Sequence, residues 1–144
     1  MFFTSLRDAI EDYPDALTNS ILRFTCKRDT DIVKFLRDKA ALFDEMAKSR
    51  TYLYLKGNNT ETIIDIVAYF SIAMQVLFIP NDMSIRQIKR LDGFSGKIHG
   101  ERIKAVPVFL IGQLARNDVY VKYDIDGDTI LRDAFSVIQK PWLF

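Results

Sequence analysis

The chain has one cysteine, one histidine and almost no charge imbalance across its 144 residues. A lone Cys26 excludes an internal disulfide, and no CxxC partner or nearby histidine equips it for metal binding or nucleophilic attack. Its simplest reading is a small buried hydrophobe. Such cysteine usage suits a reducing compartment, so a cytoplasmic location is expected. His99 lies among Gly96, Lys97, Gly100 and Arg102, where an exposed loop side chain is a simpler reading than a general base. Lys and Arg total 20 against 19 Asp and Glu, so net charge points to neither nucleic acid nor an anionic membrane. Long apolar runs are missing too. The stretch around Ile63–Ala73 is broken by Asp65 and Ser71, Gln75 follows, and no membrane span is expected. Met1-Phe-Phe-Thr-Ser-Leu6 lacks a basic region, and Arg7 and Asp8 follow at once, unlike a secretory signal.

What is present suits a folded chain. Hydrophobic residues make up 49% and charged residues 27%, and the length fits a single domain over residues 1–144. Ser5–Tyr13 reads as a short helix capped by Ser5, with Leu6, Ile10 and Tyr13 on one face and Pro14 closing it or starting a turn. Ile21-Leu-Arg-Phe-Thr-Cys26 mixes β-branched and aromatic residues and reads as a strand. Asp29-Thr30-Asp31 supplies capping oxygens for a long helix. Its apolar positions are Ile32, Phe35/Leu36, Ala40, Phe43 and Met46/Ala47.

Thr51–Lys56 and Thr62 to about Met74 read as two strands joined by the turn residues Lys56-Gly-Asn-Asn59, hence a hairpin, with helix an alternative for part of the second run. Ser84–Leu91 suggests a short helix, and Gly93, Gly96 and Gly100 mark a loop. Val106–Leu114 is continuously apolar, as in a strand buried on both faces. Asp128–Gln139 carries Ile130/Leu131, Ala134 and Val137/Ile138 at helical spacing. The class expected is α/β, an α+β arrangement on a mixed sheet.

The strand Pro107-Val-Phe-Leu-Ile-Gly-Gln-Leu-Ala-Arg116, a polar loop and the helix opened by Gly127 form the best candidate ligand site. Gly112 inside the strand suggests a bulge or a close backbone approach. A helix start offers free N–H donors and a positive dipole end to a phosphate.

Three runs resemble GNAT-family N-acetyltransferases, in particular the toxin-like and Gram-positive branch. They are Phe35-Leu36 … Ser49-Arg50-Thr51-Tyr52-Leu53 … Ala68-Tyr69-Phe70-Ser71-Ile72-Ala73, the run Pro107–Ala115, and Gly127-x-x-Ile130-Leu131-x-Asp133-Ala134. The resemblance implies a GNAT-like acyl-CoA N-acyltransferase fold that uses acetyl-CoA as cosubstrate and transfers the acetyl group to an amine acceptor. By the same resemblance, the cofactor-facing set is Gln113, Leu114, Ala115 and Arg116 for the pantetheine arm, with Gly127, Asp128 and Thr129 beneath the pyrophosphate. No residue is singled out as the catalytic base.

The chain departs from the family pattern in two places. The usual pyrophosphate loop, Arg/Gln-x-x-Gly-x-Gly/Ala, is replaced by Val121-Lys-Tyr-Asp-Ile-Asp-Gly-Asp-Thr129, which sets Asp124, Asp126 and Asp128 where phosphates are expected. A GNAT domain also continues after this helix with a further strand, a helix and a hairpin. The expectation is therefore a domain truncated after the cofactor-facing helix, half of the usual active site absent, with catalysis by this short chain left open.

Other functions compete with this one. A non-catalytic interaction protein would associate through the exposed edge of Val106–Leu114, as a homodimer or with a partner chain completing the sheet. A nucleic-acid module, with tRNA as partner, would use Arg86, Lys89, Arg90, Lys97, Arg102 and Lys104, which otherwise form a solvated face. Asp124-x-Asp126-Gly-Asp128 is rejected as a calcium loop, because glycine falls at the fourth position and Phe135 at the twelfth. Tyr52, Tyr54, Tyr69 and Phe70 are read as cross-strand core pairs rather than a cleft lining.

Overall fold

The computed structural model describes residues 1–57, 63–95 and 104–140, with the backbone alone over 91–95. His99, Lys97, Arg102, Gly96, Gly100 and the Asn58-Asn59 turn lie outside the described residues. Two compact units are present, one formed by Met1–Ala73 with Ile111–Phe144 and the other by Met74–Leu110.

In the first unit, strand β1 (Phe2–Ser5) pairs antiparallel with β2 (Ser49–Gly57). Ser5 ends the strand and caps helix α1 (Leu6–Asp12), its hydroxyl accepting the Asp8 N–H at 3.1 Å. Pro14 does not simply end this helix. It opens a second one, α2 (Pro14–Arg23), at the position where a missing N–H costs nothing. The strand expected at Ile21–Cys26 is therefore absent. Ile21–Arg23 form the last turn of α2, because Leu17, Ile21 and Phe24 reach the core at helical spacing.

Asp29 caps α3 (Thr30–Asp38), its carboxylate accepting the Asp31 N–H at 3.0 Å. The helix expected to continue to Ala47 breaks at Lys39 (φ −123°, ψ −33°) and resumes as α4 (Ala40–Glu45). The break lets Leu36 and Ala40 both bury while the nearly buried Asp44 carboxylate meets Arg50 at 2.9 Å and Arg7 at 3.1 Å. At the end of α4, Ala47 takes the left-handed conformation (φ 54°). Lys48 N–H donates to Phe43 and Ala47 N–H to Asp44, which is a Schellman closure built without glycine.

The expected hairpin is present, β2 running antiparallel to β3 (Ile64–Phe78) from Ser49↔Ala73 to Gly57↔Ile64. The register slips between Tyr54↔Ala68 and Leu55↔Ile66, leaving Val67 as the extra residue of a bulge. Strand β4 (Ala105–Arg116) completes the order β1-β2-β3-β4. It is not buried on both faces as its apolar run suggested. Only Val106 and Ala115 are buried, because β4 is the last strand of the sheet among the described residues. Helix α6 (Gly127–Ile138) then follows as its periodicity predicts.

Both faces of the first unit's sheet are covered. Leu53, Leu55, Ile64, Ile66, Tyr69 and Ala115 pack with Leu6, Leu17, Phe24, Leu36 and Ala40 of the N-terminal region. On the opposite face, Tyr54, Val67, Ala68, Phe70 and Ile72 pack with Ile130, Ala134 and Val137 of α6. Ile111 and Leu114 both join this second cluster although three residues apart. Strict alternation would place them on opposite faces.

The second unit holds the end of β3, the helix α5 (Ile85–Ser95) and the start of β4. Ser84 and Gln87 form a reciprocal capping box at 3.3 Å in each direction. Gly93 belongs to this helix rather than to the loop expected there.

Candidate cofactor cleft

The last residues of β4 form the floor of a cleft of about 590 Å³ within the first unit. Leu114, Ala115 and Arg116 line it from the strand, Gly127 and Ile130 from α6, and Cys26, Arg28, Asp29 and Ile32 from the opposite wall. Asn117 sets the floor in place. It is buried, donates its N–H to Val67 at 2.8 Å, and donates its side-chain amide to the Ile66 carbonyl at 2.9 Å. Successive N–H groups along a strand point to alternate sides. With Asn117 directed towards β3, Arg116 and Leu114 direct their main-chain groups away from it.

The opposite wall is tied to this floor. Asp118 N–H donates to the Thr25 carbonyl at 2.9 Å, and the Asp118 carboxylate accepts the Lys27 N–H at 2.8 Å. The Thr25 hydroxyl donates to the Asn117 amide oxygen at 3.3 Å. On the other side, Arg116 donates to the Ile125 carbonyl at 3.0 Å, which fixes the loop ahead of α6.

Of the seven residues expected to face a cofactor, Leu114, Ala115, Arg116 and Gly127 line this one cleft, whereas Gln113, Asp128 and Thr129 are not part of its lining. Gln113 precedes the floor on β4, and Asp128 and Thr129 continue the first turn of α6. Arg28, Asp29, Ile32, Asn117, Asp118 and Tyr120 also belong to the cleft, although the sequence does not mark them as site residues. Asp29 reads locally as a helix cap, and Asn117-Asp118 read only as turn formers. Cys26 is half-buried in the cleft wall rather than fully enclosed.

The acidic side chains are mostly committed to main-chain donors. Asp29 accepts from Asp31, and Asp124 accepts from Val121 at 2.8 Å. Asp126 caps α6 by accepting the Thr129 N–H at 2.8 Å, and that bond holds its carboxyl below the usual value. Tyr120 also lines the cleft. Its phenol is pushed up to about 12, by burial first and then by donating to Asp65 at 3.1 Å. Among the described residues, no group of three or more His, Cys, Asp and Glu could hold a metal ion.

The aromatic residues of the hairpin are structural. Tyr52 pairs with Phe70 across the strands, and Phe3 stacks on both with centroids 5.6 and 5.9 Å away. The Tyr54 hydroxyl donates to Asp133 on α6, and the Tyr69 hydroxyl donates to the Ile32 carbonyl at 2.6 Å. Arg86, Lys89, Arg90 and Lys104 of the second unit are exposed. No described helix is long and apolar enough to cross a membrane.

No protein-family model matches the chain, and no curated protein matches it by sequence. Solved structures do resemble it. A tyrosine-to-phenylalanine variant of KacT superposes with a TM-score of 0.66 at 16% identity, covering 94% of this chain and 67% of that one. AtaT complexed with acetyl-methionyl-tRNAfMet gives 0.64 at 17%, covering 95% and 68%. AtaTR bound with AcCoA gives 0.64 at 18%, covering 94% and 66%. The chain thus spans about two thirds of the length of each. Identity this low speaks for architecture alone, and the architecture is the GNAT acetyltransferase fold.

Proposed function

We propose that the chain binds acetyl-CoA in the cleft between the end of β4 and the start of α6, in the service of amine N-acetylation. One observation carries this reading: Leu114, Ala115, Arg116 and Gly127 converge on a single cleft, and β4 is the last strand of the sheet among the described residues. A pantetheine arm is an extended amide chain, and a bare strand edge recognises it by the hydrogen bonding that adds a strand to a sheet. Gln113–Arg116 would hold this arm, and Gly127–Thr129 would sit below the pyrophosphate. The fit is uneven. The strand edge suits the amides, while Asp126 occupies the Thr129 donor and adds an anion where a diphosphate would settle.

When bound, acetyl-CoA supplies a thioester carbon open to attack by an amine. The chain's own contribution is main-chain donors that stabilise a developing oxyanion, with a base needed to take the amine proton. Because AtaT is seen complexed with acetyl-methionyl-tRNAfMet, an aminoacyl amine carried on tRNA is the acceptor to try first, in a reducing cytoplasm. The test is the melting temperature of the chain with and without millimolar acetyl-CoA. An upward shift is expected, and an unchanged melting curve overturns the reading.

A further inference from the structure

A second cavity of about 390 Å³ lies within the first unit. It shares no lining residue with the cofactor cleft, and it meets α6 at the other end, at Val137 and the following Lys140 rather than at Gly127 and Ile130. Its charges are unequal. Arg7, Arg50 and Lys140 line it against two carboxylates, Asp8 and Asp44. Asp44 is nearly buried, and one of its oxygens takes both Arg50 at 2.9 Å and Arg7 at 3.1 Å. One anion therefore serves two guanidiniums and leaves this trio a formal positive charge. Arg50 is only 17% exposed in its side chain, so water does little to disperse that charge, and a further anion is favoured.

Two more donors are available there. Among the described residues, the Lys140 ammonium has no ion pair and the Tyr52 hydroxyl has no hydrogen-bond partner. Burial raises the Tyr52 phenol above its usual 10.0 although Arg50 pulls it down, and Asp44 and Asp8 act on it too, so it keeps its proton among these charges at neutral pH. We propose that this cavity binds a phosphoryl group, free or as a monoester, on Arg7, Lys140 and the Tyr52 hydroxyl, with Asp44 orienting Arg7.

Arg7 gives one nitrogen to Asp44, which leaves other N–H donors of its fork for a ligand. Arg7 comes from α1, Tyr52 from β2 and Lys140 from beyond α6. Donors arriving from three elements suit a tetrahedral oxyanion better than a planar carboxylate. The cavity also has room for an organic remainder. Phe3 lines it, is 40% exposed, and stacks on Tyr52 at 5.6 Å, so a sugar or ring has an apolar wall to rest on. Asp8 and the carbonyl end of α6 oppose an anion, and submillimolar rather than tighter binding is expected. The inference does not rest on acetyl-CoA binding.

The test is a phosphorus NMR titration of the full chain with inorganic phosphate and, separately, with ribose 5-phosphate at constant ionic strength. Saturable binding is expected. A tighter ester supports an esterified ligand resting on Phe3, and equal affinities support the free ion. Lys140→Gln should weaken binding about tenfold, the loss of one charge-assisted hydrogen bond, and Tyr52→Phe should weaken it several-fold. Both side chains reach solvent, so either variant can report if the other fails to fold. Absence of binding by both probes at millimolar concentration overturns the proposal. So does binding that both substitutions leave unchanged, which would put the anion elsewhere on the chain.

Discussion

The Asp126 carboxylate accepts the Thr129 N–H at 2.8 Å, so α6 carries an anion of its own at the end expected to receive a phosphate. Asn caps helices about as well as Asp does. Asp126→Asn should therefore keep the helix while relieving repulsion, and acetyl-CoA should bind several-fold more tightly in calorimetric titration. Asp126→Ala should instead lower the melting temperature by a few degrees. Because the Thr129 bond lowers this carboxyl from its ordinary 3.8, the cap contributes fully above that value and fades as the pH falls below it. Asp126→Asn should lose this acid-side slope.

Gly127 gives a second handle on the same turn. A Cβ built there meets nothing within 4 Å. Gly127→Ala should stabilise the free chain by roughly 0.5–1 kcal/mol, since alanine loses less entropy in a helix. If a phosphate approaches this backbone, the same methyl group should weaken acetyl-CoA binding. Chemical denaturation and titration on one sample separate the two effects, and equal affinity would place the phosphate elsewhere.

Asn117 holds the cleft floor through its bonds to Ile66 and Val67. Asn117→Ala leaves the buried Ile66 carbonyl without that donor, at a cost of about 1–3 kcal/mol in denaturant unfolding. Thermal shifts with acetyl-CoA should shrink beyond what the lost stability explains, because this residue ties the Thr25 wall of the cleft to β3.

At alkaline pH the tyrosines set the limit. Tyr120 is pushed up to about 12, and burial also raises Tyr52, Tyr54 and Tyr69. A folded state that holds the proton more tightly is fully favoured below the ordinary tyrosine value of 10.0 and loses that advantage as the pH rises towards 12. Unfolding should accompany phenolate formation, as followed by ultraviolet absorbance. Tyr120→Phe should flatten its share of the decline between those two values.

Ala47 adopts φ 54° at the close of α4, a conformation glycine takes without a steric penalty. Ala47→Gly should stabilise the chain by about 1 kcal/mol, which urea unfolding can read. No gain would mean that backbone freedom in the unfolded chain cancels the relief.

Local patterns revealed much of this architecture. Ile130, Ala134 and Val137 recur at the spacing of α6, Asp29 caps α3, and the residues of β2 and β3 alternate as a hairpin demands. Elements defined by partners far along the chain were hidden. β1 is only Phe2–Ser5 and exists because β2 offers it an edge. Ile21–Cys26 shows β-branched chemistry, yet contacts inherited from Leu17 wind its first half into α2. The cleft divides in the same way. Its floor and helix start are contiguous segments with a glycine as marker. Its far wall, Arg28, Asp29 and Ile32, reaches them through the Thr25–Asp118, Lys27–Asp118 and Thr25–Asn117 bonds, all far apart in sequence.

The surplus residue at the hairpin's irregularity gives a way to read kinship from chain length. Removing Val67 would leave Ile66 and Ala68 adjacent and still pointing to their present sides, so a descendant one codon shorter there would keep its interior. It would also forfeit the carbonyl that receives Asn117. A lineage that has shed this residue should retain the scaffold and have abandoned the pocket.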